Sequence, residues 1–343
     1  MKCLLIGIVI LIAFAASLSG QTLGEFQTAY EQFAAAVSCS LAATAATGLN
    51  WSPAYIGQFP HFGVGVTLGA APMRWTTVKP VFDMLGVAIP TELAFNGAEG
   101  EQGAIGLPAL AVDARIGGFG IPFDVGLKIG LLPKQWHLYL EGDFEMDYFA
   151  VGGDIRLAIL KDEGLMPALS VGIGYSYMKG SIGMAVPGLT SQTIDITTYM
   201  NTAGYVGTYS FTFNQPSVTF GWQSNVIEAR VQLSKRVLFL TPNIGLSAAY
   251  GISNAGGGLF ATVTYSATGD MATEQQAAAV LQGLDLPVPS ATGIDVLSAA
   301  NGWEFRVYGG TSISILMIQL DLSVSYNILT NLFGGSGNVR FEL

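Results

Sequence analysis

The 343-residue chain is half hydrophobic but only 11% charged, with a mean hydropathy of +0.48 and a net charge of −10. That acidity excludes a typical nucleic-acid binder, which carries the opposite sign. The hydropathy would suit a helical membrane protein, yet no stretch beyond residue 20 offers the roughly 18 consecutive apolar residues that a membrane helix needs.

The first twenty residues stand apart. Lys2 supplies a positive start, Leu4 to Ala16 form an apolar run, and small residues follow at Ser17, Ser19 and Gly20. This is the layout of a secretory signal peptide over 1–20. Cleavage is expected near Gly20–Gln21, with Ser17 or Ser19 as alternatives. Cys3 precedes the apolar run and Cys39 lies far beyond it, so a lipid anchor is not expected. Losing 1–20 removes Lys2 and no acid, which moves the net charge from −10 to −11. It also leaves Cys39 alone, so no intramolecular disulfide is possible.

Residues 21–60 are expected to form a helix and a hatch-like link. Gln21 to Thr47 is rich in Ala, Gln and Glu, and Phe26, Tyr30, Phe33 and Val37 recur at helical spacing. Leu49 to Tyr55 then reads as irregular.

From His61 the period becomes two. Phe62, Val64, Val66, Leu68 and Ala70 alternate with His61, Gly63, Gly65, Thr67 and Gly69. Ile244, Leu246, Ala248 and Tyr250 repeat the pattern, as do Ile318, Leu320, Leu322, Val324 and Tyr326. Such alternation over about ten residues marks a membrane barrel, although a soluble sheet with one wet face alternates too. Strands are expected near 61–71, 104–116, 121–131, 135–148, 150–161, 166–180, 205–213, 216–224, 226–236, 238–251, 259–268, 302–311, 313–327 and 337–343. The expected fold over 61–343 is thus an all-β, antiparallel transmembrane barrel of 12–14 strands. Turns are expected at Gly117 to Gly120, Leu132 to Lys134 and Gly256 to Gly258. Longer inserts cover 72–103, 181–204 and 269–301, with a helix over Thr273 to Gln282. This division does not put all three inserts on one side, so at least one boundary is misplaced. Trp75, Trp136, Trp222 and Trp303 fall near strand ends, where amphipathic aromatics meet lipid headgroups. The ending Val339, Phe341, Leu343 suits recognition by the barrel-assembly machinery, with Leu343 where an aromatic residue is usual.

If the apolar faces meet outer-membrane lipid, the charges turn inward. Asp113 with Arg115, Asp154 with Arg156, Glu228 with Arg230, and Glu304 with Arg306 each sit two residues apart. Asp124 and Lys128 form a looser pair, and Asp321 is a further lumen candidate. Glu141, Asp143, Glu145 and Asp147 make an acidic ladder. One account is structural, with opposite charges neutralising each other across strands about 4.8 Å apart. The other is functional, with the ladder favouring cations at a constriction. His61 and His137 lack a nucleophile motif, and no phosphate-binding loop occurs, so no catalytic, metal or cofactor site is expected.

The layout resembles the FadL-like outer-membrane transporters of long-chain fatty acids. The resemblance rests on the segment Gln21 to Tyr55, with Ser52-Pro53-Ala54 near that family's Asn-Pro-Ala string, and on the loop helix. It implies a hatch, a fourteen-stranded barrel and a small hydrophobic ligand. The chain also resembles uncharacterised barrels of spirochaetes and Bacteroidetes at Phe62 to Val66, Gly120 to Gly126, Ser234 to Arg236 and Phe239 to Pro242. A channel or transporter in the bacterial outer membrane is the leading expectation. A general diffusion porin, a surface-exposed adhesin-like barrel and a soluble exported β-protein are the alternatives.

Overall fold

A computed structural model describes residues 23–59, 61–76, 79, 94–95, 103–131, 144–185, 191–291 and 293–343. The expected signal peptide, much of the 72–103 insert, and Trp136, His137, Glu141 and Asp143 lie outside the described residues. A 24-residue helix, α1 (Leu23–Ala46), comes first. The strands follow as β1 (His61–Arg74), β2 (Ala94–Phe95), β3 (Ala104–Gly117), β4 (Phe123–Leu131), β5 (Phe144–Leu160) and β6 (Ala168–Ala185). Then come β7 (Ser191–Asp195), the short helix α2 (Thr197–Thr202), β8 (Gly207–Ser234) and β9 (Leu240–Gly269). Helix α3 (Glu274–Gly283), β10 (Gly293–Ala299), β11 (Gly302–Ile315), β12 (Ile318–Asn327) and β13 (Leu332–Glu342) complete the chain.

All thirteen described strands belong to one antiparallel sheet. The succession β1, β3, β4, β5, β6, β8, β9, β11, β12, β13 returns to β1, so ten of them close a ring. The first and last strands make the seam, with Gly63 opposite Glu342 and Ala70 opposite Gly335. The all-β antiparallel barrel is therefore as expected, and the strand total falls within 12–14. The ring itself is narrower, because β8 and β9 continue past it as a long hairpin. There β7 pairs with β8 and β10 pairs with β9.

Several boundaries differ from expectation. The stretches read as 205–213, 216–224 and 226–236 are one 28-residue strand, and 238–251 with 259–268 are one of 30 residues. The described part of 135–148 is continuous with 150–161 in β5. Gly256 to Gly258 is strand rather than turn. A Cβ at Gly256 would lie 1.9 Å from the Val296 carbonyl oxygen, and one at Gly257 would lie 2.0 Å from that of Thr219. These glycines let β8 and β10 approach β9 closely. By contrast, Gly118 and Gly120 do form a turn, at φ of +79° and +81°.

With these boundaries the long connections fall together, joined at their mouth by one four-residue link, 328–331. The links 118–122, 161–167, 235–239 and 316–317 are short and share one mouth with Leu343. The links after β1, β4, β6 and β9 are long and share the other. Merging the strands thus places all three long inserts on one side.

Packing is inverted relative to a soluble protein. Around the ring, Val66, Leu68, Ile116, Leu127, Ile155, Ile173, Leu246 and Val339 are exposed, and Leu127 and Leu68 are more than 60% accessible. Their alternate neighbours point inward and are buried, charges included. A soluble domain rarely exposes a continuous apolar belt or buries so many ions.

The interior is filled by α1. Near the long-connection mouth Tyr30, Phe33 and Val37 are buried in a cluster with Phe211, Phe213, Phe220 and Leu259. These three belong to the apolar stripe read from the sequence, whereas the side chain of Phe26 lies outside the described ones. Trp303 does sit on the outside, 5.0 Å from the Tyr250 ring. Trp222, expected at a headgroup level, is instead buried inside over Gly180.

Candidate functional site

The site is the lower lumen, where α1 ends and the irregular segment 47–59 meets the barrel wall. Eleven of the expected lumen charges are buried there: Asp113, Arg115, Asp124, Lys128, Asp154, Arg156, Glu228, Arg230, Glu304, Arg306 and Asp321. Period-two alternation along the strands puts them all inside.

The pairings are mostly across strands rather than along them. Arg115 on β3 reaches Asp124 on β4 at 2.5 Å and Asp154 on β5 at 2.8 Å. Arg156 on β5 holds the other oxygen of Asp124 at 2.6 Å. Asp154 also pairs with Arg230 on β8, and Glu228 binds Arg306 on β11 at 2.5 Å. Asp124 lies one strand, about 4.8 Å, from each of its arginines, closer than the roughly 7 Å between residues i and i+2, whereas Arg115–Asp154, Asp154–Arg230 and Glu228–Arg306 each reach over an intervening strand. Glycines open the space: a Cβ at Gly126 would strike Asp154 Oδ1 at 2.3 Å. Three expected pairs are replaced: Asp154 and Arg156 take the separate partners above, and two others change as follows. Asp113 accepts from Trp51 Nε1 (2.5 Å), Thr67 Oγ1 (3.0 Å) and Asn338 Nδ2 (2.9 Å) rather than from Arg115. Lys128 donates to the carbonyls of Ala45 and Thr47 rather than pairing with Asp124.

This belt grips the hatch segment through its backbone. Lys128 caps the last carbonyls of α1, where the helix dipole favours a cation. Arg115 Nη2 donates to Leu49 O at 2.9 Å and Arg156 Nη1 to Pro53 O at 2.8 Å. Gln232 Nε2 donates to Trp51 O at 2.9 Å and also to Ser52 O, while Tyr308 donates to its oxygen and fixes the amide. Ala54 N donates to Ser234 Oγ at 2.7 Å. Trp51 lies between Arg115 and Arg340, whose guanidinium carbons are 5.3 and 4.6 Å from its ring. A Cβ at Gly63 would meet Trp51 Cη2 at 2.5 Å, so glycine makes the notch for this ring. Gly63→Val is expected to cost about 1–3 kcal/mol by overpacking. Denaturant unfolding in detergent, followed by the loss of the heat-modifiable band, checks this, and an unchanged midpoint would mean that Trp51 is not seated there.

Sequence reasoning did not place Arg340, Trp51 or Gln232 in the lumen. Arg340 is buried and pairs with Asp321. Its inward phase was available from the outward Val339 and Phe341. The acidic ladder fails at Asp147. Asp147 is exposed on the outer face beside buried Tyr148 and Ala150, because β5 is one strand with no change of phase at residue 149. Glu141 and Asp143 lie outside the described residues, as does the side chain of Glu145.

Two openings adjoin the hatch. A cavity of about 50 Å³ runs beside α1, bordered by Ser40, Asn50, Glu304, Asp321, Ser323 and Asn338. Glu304 is fully buried, with one oxygen unpartnered and Arg306 no nearer than 3.9 Å. At the short-turn mouth a larger cleft of about 740 Å³ lies between Tyr55–Gln58 and the turn 161–164. Asp162 braces this turn. Slight burial pushes its carboxyl up, but hydrogen bonds from Lys235 and Arg236 N and their charges hold it below the usual range. His61 sits 3.7 Å from Asp124 and 3.9 Å from Glu342. Among the described residues, no three His, Cys, Asp or Glu side chains gather as a metal set.

No family model matches the chain, and no curated protein does. Among solved structures it is similar to the translocator domain of autotransporter NalP from Neisseria meningitidis. That likeness covers 91% of this chain and 98% of the other, at 10% identity and a TM-score of 0.38. It is also similar to the outer membrane protease OmpT of Escherichia coli, over 84% and 96% of the two chains, at 8% identity and a TM-score of 0.36. A Pseudomonas aeruginosa FadL homologue covers 87% and 96%, at 8% identity and a TM-score of 0.27. Likenesses at this level carry no residue role or activity to this chain.

Proposed function

We propose that this chain is a bacterial outer-membrane barrel that passes small molecules through a lumen its own N-terminal segment keeps closed at rest. The carrying observation is the convergence of Lys128, Arg115, Arg156, Gln232 and Ser234 on the backbone of residues 45–54. Polar contacts to an irregular link exchange for water more readily than the apolar packing of α1 against Phe211, Phe213 and Phe220, so the link is the part of the closure able to release. The filled lumen argues against a general diffusion porin. The neutralised belt argues against a cation-selective acidic ring, since most of its carboxylates already hold an arginine. The proposal assigns no enzymatic activity.

The open space beside α1 mixes Ala43, Ala70 and Leu332 with Ser40, Asn50, Asn338 and the unpaired oxygen of Glu304, and those polar groups favour a small polar solute. A hydrophobic or lipid-like cargo is the second reading. It is favoured by the aromatic-rich cluster near the long-connection mouth, where α1 now lies. Uptake by proteoliposomes, comparing a small sugar with a short fatty acid, separates the two. Uptake of neither after the hatch is loosened would leave a surface-exposed barrel without transport.

The membrane reading makes its own prediction. Leu127 is central in β4 and 64% exposed. Leu127→Arg should cost about 2–4 kcal/mol in a bilayer at mid-depth. Refolding into phospholipid vesicles measures it. A cost near zero would instead suit the soluble exported β-protein.

A further inference from the structure

We infer that α1 is threaded with its N-terminus outward, so that the start of the helix lies at the outer mouth while Leu343 stays at the inner mouth. This rests on the outer-membrane reading above.

Three observations fix the direction. The first is at the start of the helix. Gly24 N donates to the hydroxyl of Tyr199 at 3.3 Å, and Tyr199 belongs to α2, in the long link between β7 and β8. Leu23 is fully buried in the cluster that includes Met200 of α2 and Leu281 of α3, both on long connections. The second is at the far end. Phe59 N donates to Gly118 O at 3.0 Å in a short turn, and Leu343 N donates to Phe62 O at 2.8 Å. Helix α1 therefore runs from the long-connection mouth towards the short-turn mouth, and residues 47–59 make the return into β1. The third is length. Twenty-four residues at 1.5 Å each span roughly 36 Å, enough to cross a hydrocarbon core of about 30 Å.

Short turns face the periplasm in such barrels and long connections face outward, so the start of α1 lies at the outer mouth.

Cysteine accessibility on whole cells tests this. The full chain carries Cys39→Ser, because Cys39 lies on α1 and its thiol donates to Trp303 O, a bond serine can also make. Single cysteines are then placed at Thr28 and Glu31, both exposed on α1. Met271, on a long connection, and Leu165, in a short turn, are the sidedness references. A membrane-impermeant maleimide is applied before and after permeabilisation, and the chain without added cysteine gives the background. Met271→Cys labelling in intact cells, with Leu165→Cys labelling only after permeabilisation, establishes the orientation of the barrel. The threading predicts that Thr28→Cys and Glu31→Cys follow Met271→Cys, with intact-cell labelling equal to that of permeabilised cells. If both follow Leu165→Cys, or stay unlabelled in cells while labelling in the unfolded chain, the threading is wrong although the barrel stands. If the two references exchange behaviour, the outer-membrane orientation itself fails.

Discussion

Asp124→Asn is expected to destabilise the folded barrel by about 3–5 kcal/mol and to loosen the hatch. Asp124 is fully buried and shared by Arg115 and Arg156, so among the described residues its loss leaves Arg156 without a carboxylate and Arg115 with Asp154 alone, which Arg230 also holds. Breaking a buried ion pair from one side typically costs that much, because the remaining charge has no water to turn to. Asn keeps the shape, so the change isolates charge from packing. The same two arginines hold the Leu49 and Pro53 carbonyls. Loss of their anchor should therefore reach the hatch as well as the wall. Urea unfolding in detergent gives the first effect, and bursts of ion conductance from a previously silent barrel give the second. A loss below about 1 kcal/mol with no bursts would mean that the belt contributes little to either.

A covalent tie should reverse the second effect. A Cβ on Gly251 of β9 would lie 3.5 Å from Cβ of Ala42 on α1, at the near edge of disulfide geometry. With Cys39 replaced by Ser, Ala42→Cys with Gly251→Cys should form a bridge in an oxidising compartment. Closing so long a loop contributes up to about 5 kcal/mol by the chain-entropy argument. In the Asp124→Asn background the oxidised bridge should silence the bursts, and reductant should restore them. Bursts that persist through the bridge would place the conducting path somewhere other than the helix.

Legibility followed phase. On β3, β4 and β11 a few outward apolar residues fixed the parity, and every charge of the opposite parity lies inside. A single false boundary at residue 149 turned Asp147 inward on paper, because a one-residue slip exchanges the two faces of a strand. The glycines at 256–258 misled for a related reason: glycine marks both turns and places where backbones crowd, and composition alone does not separate them. The hatch lock was not legible. Lys128, Arg115, Arg156 and Gln232 bind backbone carbonyls, which every residue has, so nothing in the sequence singles out Ala45, Leu49 or Pro53 as acceptors. The direction of α1 was hidden likewise, because an apolar stripe reads the same from either end.

The central claim is that residues 23–59 close the lumen. Its most direct test is planar-bilayer conductance of the refolded chain, intact and with that segment removed, once heat-modifiable migration confirms that both have folded. The account predicts silence from the intact chain and steady, ohmic conductance from the shortened one. Steady conductance from the intact chain, at a level the deletion leaves unchanged, would contradict it.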